Sequence, residues 1–125
     1  MINIYDNAIL TTQSNDKIYI NLDCGYGQPS VTTIYLKKND ITSVLKTFDN
    51  NAINFEIDTV DNLQYNTIEI HTTITDVIDN PVEMTDISLN IEVFDIKSNS
   101  VKTGFTKQTT GKGEIFQSFY TITVL

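Results

Sequence analysis

Cys24 and His71 are each the single member of their kind in the chain, so a thiol–imidazole pair is the first chemistry to weigh. Nucleophilic catalysis by such a pair needs the imidazole within hydrogen-bond reach of the sulfur and a third group to orient it. His71 follows Ile70 in an alternating run, which places it on the outer face of a strand. Cys24 stands at a strand end beside Gly25, with no nucleophile motif around it. An exposed histidine and a structural thiol are expected, and no catalytic residue is assigned. The run from Asp76 to Asp86 is the most acidic connection, and calcium is the cation that takes several hard oxygen ligands from such a loop. It lacks the ligand spacing and the sharp-turn glycine of an EF-hand, so a solvated turn is expected and no metal or cofactor is assigned. Thr110-Gly111-Lys112-Gly113 is followed by Glu114 and a strand, whereas a phosphate loop needs a longer spacing and a helix after it. It reads as a hairpin turn. Gly25-Tyr26-Gly27 puts Tyr26 on a flexible turn, where an aromatic can stack on a sugar ring or anchor a protein partner.

The elements that position these residues are legible as alternation. Ile18, Ile20 and Leu22 share one face of a run, and Gly25, Gly27 and Pro29 then break it. Val31 to Leu36 reads as the next strand. Ile53, Phe55 and Ile57 alternate with Asn54, Glu56 and Asp58. Ile68, Ile70, Thr72 and Ile74 oppose Glu69, His71 and Thr73, and Ile87, Leu89, Ile91 and Val93 form an unbroken inner row. Val101 to Lys107 and Phe116 to Val124 read as a closing pair of strands, and a short strand from Ile2 opens the chain. Ile41, Val44, Leu45 and Phe48 are spaced like one helix face, with Asn39 or Asp40 as N-cap, so residues 40–48 suit a short helix or a twisted strand.

Composition supports this reading. The 125 residues contain 18 Ile and 18 Thr against two Ala, and β-branched side chains favour pleated surfaces over helices. Leu, Ile, Val and Phe supply 39 residues, enough for a real core in one domain spanning 1–125. One cysteine allows no internal disulfide. No apolar run reaches membrane-spanning length, and Met1 to Asp6 shows neither a basic nor an apolar leader region. A chain that is cytoplasmic at synthesis and does not insert in a membrane is expected.

Net charge is −8, which disfavours nucleic acid and anionic membrane as partners. All eight basic residues are lysine, so no guanidinium fork is available for phosphate or carboxylate. Residues 47–96 carry eleven acids and no lysine, whereas residues 97–125 carry four lysines and one acid. That contrast suggests an acidic face and a basic strand pair, with Lys102, Lys107 and Lys112 as partner-binding candidates beside Tyr26.

Seven to nine strands with closely spaced turns predict an all-β, antiparallel sandwich. Asp61-Asn62-Leu63-Gln64-Tyr65 resembles the corner before a late strand of immunoglobulin-like domains. The resemblance spans residues 53–75 and implies that the Tyr65 hydroxyl anchors the corner. The paired cysteines and core tryptophan of antibody domains are absent, and two further strands follow. The expected function is a non-enzymatic subunit of a larger assembly, such as a virion or phage-tail-like particle, with copies of itself or other subunits as partners. The alternative is a module that binds carbohydrate or a cell-surface ligand through its loops.

Overall fold

A computed structural model describes residues 1–12, 17–25, 28–76, 87–95, 99–107 and 113–125. The strands are β1 (Ile2–Leu10), β2 (Lys17–Gly25), β3 (Ser30–Lys38), β4 (Ile41–Asp49), β5 (Ala52–Thr59), β6 (Thr67–Thr75), β7 (Ile87–Asp95), β8 (Ser100–Lys107) and β9 (Ile115–Val124). They form two packed sheets in the orders β1-β9-β6-β3-β4 and β5-β2-β7-β8, without closure into a barrel. The expected rows meet between them. Ile18, Ile20, Leu22, Ile57, Ile68, Ile70, Leu89, Ile91, Tyr120 and Ile122 are all buried, and Phe55 packs against them from the margin. Strands β6, β7 and β9 alternate strictly between buried and partly open positions, as period-2 geometry requires.

Several expectations need correction. The sandwich is not wholly antiparallel, because β1 runs parallel to β9 while every other pair is antiparallel. Of the two forms that residues 40–48 suit, the structure has the strand: Asp40 belongs to the turn, and β4 begins after it at Ile41, at the edge of its sheet. Its helix-like spacing comes from a bulge: Ile34 pairs with Lys46 and Tyr35 with Val44, leaving Leu45 as the extra residue. Asn39 and Asp40, with φ of 51° and 64°, are the two central residues of the β3–β4 turn rather than an N-cap. Both residue types tolerate the left-handed region that such tight hairpins demand. Among the described residues the one short helix, α1 (Val60–Leu63), lies elsewhere, capped by Thr59 Oγ1 accepting from the Asn62 N–H at 3.3 Å.

Ile53 also leaves the row assigned to it. It is 82% exposed, while Ala52 and Ile57 are buried. The β2–β5 register slips twice, and Asn54 sits at φ 50°, so the side-chain alternation restarts within the strand. Val101–Lys107 and Phe116–Val124 do not form a hairpin. β8 pairs with β7 in one sheet and β9 with β6 and β1 in the other. Tyr65 is 77% exposed and anchors no corner through its hydroxyl; its backbone N–H donates to the Val124 carbonyl at 2.7 Å. Leu63 is the buried residue of that segment.

Buried polar groups tie the layers. Asp95 ends β7, and its carboxylate accepts from the Thr12 hydroxyl (2.7 Å), the Asn99 N–H (3.0 Å) and Asn99 Nδ2 (2.9 Å). Within the five-stranded sheet, the Thr32 and Thr72 hydroxyls share a bond of 2.9 Å between neighbouring strands β3 and β6. Tyr120 behaves differently. Its hydroxyl is buried without a hydrogen-bond partner. Burial, reinforced by the Asp6 carboxylate, pushes its pKa up to about 12.

Two outcomes follow from this core. Ile91→Ala should cost about 2–5 kcal/mol in chemical denaturation, through lost transfer energy and a cavity. Tyr120→Phe should be neutral or stabilising, because it removes a polar group that burial leaves unsatisfied. The unfolded tyrosine ionises near pH 10 and the folded one only near 12, so its contribution is whole below pH 10 and fades as pH rises to 12. Wild-type stability should therefore fall more steeply over that interval than that of Tyr120→Phe; parallel pH profiles would contradict the assignment.

Candidate functional site

Two outer faces and four lateral edges are the surfaces this sandwich offers. On the five-stranded sheet, the side chains opposite the core form an aromatic row. Tyr5 of β1 stacks on Phe119 of β9 with centroids 5.0 Å apart. Phe119 meets His71 of β6 edge-on at 5.0 Å, and His71 meets Tyr35 of β3 at 4.8 Å. Tyr35 lies opposite Val44 of β4 in the register, so the row crosses all five strands. Tyr5 is 71% exposed and Val44 63%, which leaves both ends of the row open to solvent. A shallow depression of about 240 Å³ runs along its middle, lined by Val31, Thr33, Tyr35, His71, Gln117 and Phe119 among others.

The row exists because outward positions of four strands happen to fall in register: Tyr5 with Phe119, Phe119 with His71, and His71 beside Tyr35 through Thr33. Such rings prefer stacked and edge-to-face contacts, so they stiffen the face as well as cover it. Charge is sparse here. Among the outward positions of these strands only Lys37, Asp49 and Glu69 are charged, with Glu69 3.9 Å from His71 Nε2.

The four-stranded sheet is unlike it. Its outer face carries ion pairs, Lys17 with Glu56 at 3.1 Å and Lys102 with Glu92 at 3.2 Å, beside a stacked Tyr19–Phe94 pair. A groove of about 460 Å³ opens where the β2–β5 pairing slips, bounded by Asn21, Asp23, Ile53, Asn90, Glu92 and Lys102 among others. Asn21 Oδ1 accepts from the Asn54 N–H at 2.6 Å, and Asn51 Oδ1 from the Cys24 N–H at 2.8 Å. Two side chains thus replace ladder bonds that the bulges remove.

The residues singled out from sequence are scattered by this arrangement. Lys102 and Lys107 lie on the edge strand β8, and Lys102 is already neutralised by Glu92 within the same molecule. Tyr26 and Lys112 lie outside the described residues, as do residues 77–86 of the acidic connection. Asp76, at its start, is buried. Its Oδ1 accepts from Gln28 Nε2 at 2.9 Å, while Oδ2 has no hydrogen-bond partner. Among the described residues no three His, Cys, Asp or Glu side chains are grouped as a metal centre would need. Cys24 faces the core of the four-stranded sheet and His71 the outside of the other, so the two are not brought together. Burial raises the Cys24 thiol pKa.

Sequence reasoning missed Tyr5, Tyr35 and Phe119. The outward parity of Tyr35 and Phe119 was readable from their strands, but their meeting depends on strand order, which alternation does not encode. Comparison with protein-family models, with curated proteins and with solved structures finds no match to this chain.

The Tyr5–Phe119 contact should be measurable by itself. A double-mutant cycle with Tyr5→Ala and Phe119→Ala should return a coupling of about 0.5–1.5 kcal/mol in unfolding free energy. Strict additivity would mean that the stacking contributes nothing.

Proposed function

We propose that the chain is a non-enzymatic interaction subunit of a larger protein assembly, of the virion or phage-tail-like kind, built on an immunoglobulin-like sandwich. The observation that carries this reading is the aromatic row across the five-stranded sheet, open at both ends and almost free of charge. Aromatic side chains anchor protein interfaces because they bury large area at small entropic cost, and charged residues are depleted at interface centres. The ion-paired opposite face has the composition of a solvated surface.

Topology supports the immunoglobulin-like part. If β4, β3, β6 and β9 stand for strands C′, C, F and G, and β2 and β5 for B and E, their neighbours follow the order of such domains. β1 then lies along G, and the β7–β8 ribbon takes the flank of β2 where strand A would run. Fold alone carries no function, so the interaction reading stands on the face.

The groove on the four-stranded sheet favours a second reading. Carboxylate and carboxamide groups beside Ile53, with the Tyr19–Phe94 pair nearby, suit a neutral carbohydrate, which presents hydroxyls and an apolar ring face.

Size fractionation of extracts from cells that make the protein discriminates the readings. An assembly subunit should elute in a complex many times its own mass of 14.1 kDa. Elution as the free chain, together with retardation in affinity gels containing β-glucan, mannan or xylan, would replace the first reading with the second.

A further inference from the structure

The partner of the aromatic face can be narrowed, on the reading that this face is an interaction surface. We infer that it receives a second copy of this chain, face to face, in a symmetric dimer.

The first argument is electrostatic. The chain carries −8, so any two copies repel, and the repulsion is smallest where the approaching surfaces bear least charge. The outer face of the five-stranded sheet bears one lysine and two carboxylates over five strands, Lys37 against Asp49 and Glu69. The opposite face presents Lys17, Asp23, Glu56, Glu92 and Lys102. A basic partner would be drawn to carboxylates, and the aromatic face has almost none to offer. A like-charged copy needs such a face.

The second argument is area. Five strands about 4.8 Å apart, each of nine or ten residues at about 3.3 Å, span roughly 24 Å by 30 Å, or about 700 Å² in projection. Side-chain relief makes the accessible area larger. A standard interface needs about 800 Å² from each partner, so this face is of sufficient size with nothing added.

The third is self-complementarity. A dimer with two-fold symmetry must place one surface patch on its own copy. His71 sits at the centre of the row, on the third of five strands, with Phe119 and Tyr5 to one side and Tyr35 and Val44 to the other. A two-fold axis along β6 would set Phe119 against the Tyr35 of the second copy and Tyr5 against its Val44. Aromatic and apolar groups then meet at both positions, while the outward residues of β6 itself, His71 and Glu69 among them, lie on the axis and face their own copies.

The test is the mass of the purified full chain by light scattering after size exclusion, from about 5 to 200 µM, at and above the weak end of the µM-to-pM range that interfaces of this area span. The expected result is a concentration-dependent rise to twice 14.1 kDa. Val44→Lys changes an exposed position and should keep the wild-type unfolding midpoint, whereas Tyr5→Lys should lower it slightly through the lost stacking on Phe119 and still fold; both should return the mass to a single copy. Ile53→Lys, equally exposed on the other sheet, should leave the dimer intact. A wild-type chain that stays single across the whole range overturns the inference. If that chain still runs in a large complex in cell extracts, the face belongs to a different protein and the broader interaction reading survives. A dimer that persists in both Tyr5→Lys and Val44→Lys also overturns it, because a different surface then holds the copies together.

Discussion

One row of side chains per strand, buried between two sheets that no covalent bond joins, is the constraint on which the rest of this structure depends. Cys24 has no second cysteine to pair with, so the layers are held by packing and by hydrogen bonds. The ladders β3–β6–β9 and β2–β7 keep strict inward parity, and Ile70, Tyr120, Ile20 and Val93 within them are fully enclosed. A one-residue slip in any of them would turn an entire apolar row toward water. Irregularity is therefore confined to the margins. The bulge of β4, the slips of β5 and the parallel pairing of β1 all lie on outermost strands.

That distribution explains what could be read from the residues. Where a strand is central, its sequence alternates cleanly, and Ile68 to Ile74 or Ile87 to Val93 announce both the element and its inner face. Where a strand is marginal, the pattern is blurred by the same bulges that end the pairing. Ile41 to Phe48 looked half helical because Leu45 is an inserted residue. Ile53 was misplaced because Asn54 adopts positive φ. Strand order is different in kind. Nothing in the alternation of Phe116 to Val124 says that it pairs with Thr67 to Thr75 and with Ile2 to Leu10 rather than with its neighbour in sequence. The contrast in burial is the physical trace: β9 hides every second residue, as an interior strand must, whereas β8 hides none.

Charge shows the same gap between sequence and space. The acidic block at 47–96 and the basic block at 97–125 are separate along the chain, yet β5, β6 and β7 distribute the acids over both sheets and β8 returns to β7. Lys102 consequently meets Glu92 in its own molecule, and Lys38 meets Asp58 at 3.1 Å. Burial would raise the Asp58 pKa, but bonds from Asn62 Nδ2, the Thr59 N–H and Lys38 Nζ outweigh it and hold the carboxyl below its ordinary value. What the fold leaves unneutralised lies mostly away from the aromatic face.

The edges decide why association should use a face at all. An open strand edge is a template for pairing, and stable β-proteins blunt it with bulges, charges placed toward the core, or short pairing. Each edge here has such a device. Lys46 on β4 lies opposite buried Ile34, so a lysine sits on the core side of that edge, next to the bulge. Asp6 on β1 lies opposite buried Tyr120 and accepts from the Thr103 hydroxyl of β8 at 2.6 Å, tying two edges together across the layers. β5 is broken by two register slips, and β8 carries Lys102 and Lys107. Gly104 on β8 also lets the backbones close up, since a Cβ there would stand 2.5 Å from the Leu89 carbonyl oxygen. With the edges guarded in this way, strand addition is disfavoured on all four sides. Among the described residues the outer face of the five-stranded sheet carries only Lys37, Asp49 and Glu69 as charges, and it has none of the devices that interrupt pairing at the edges.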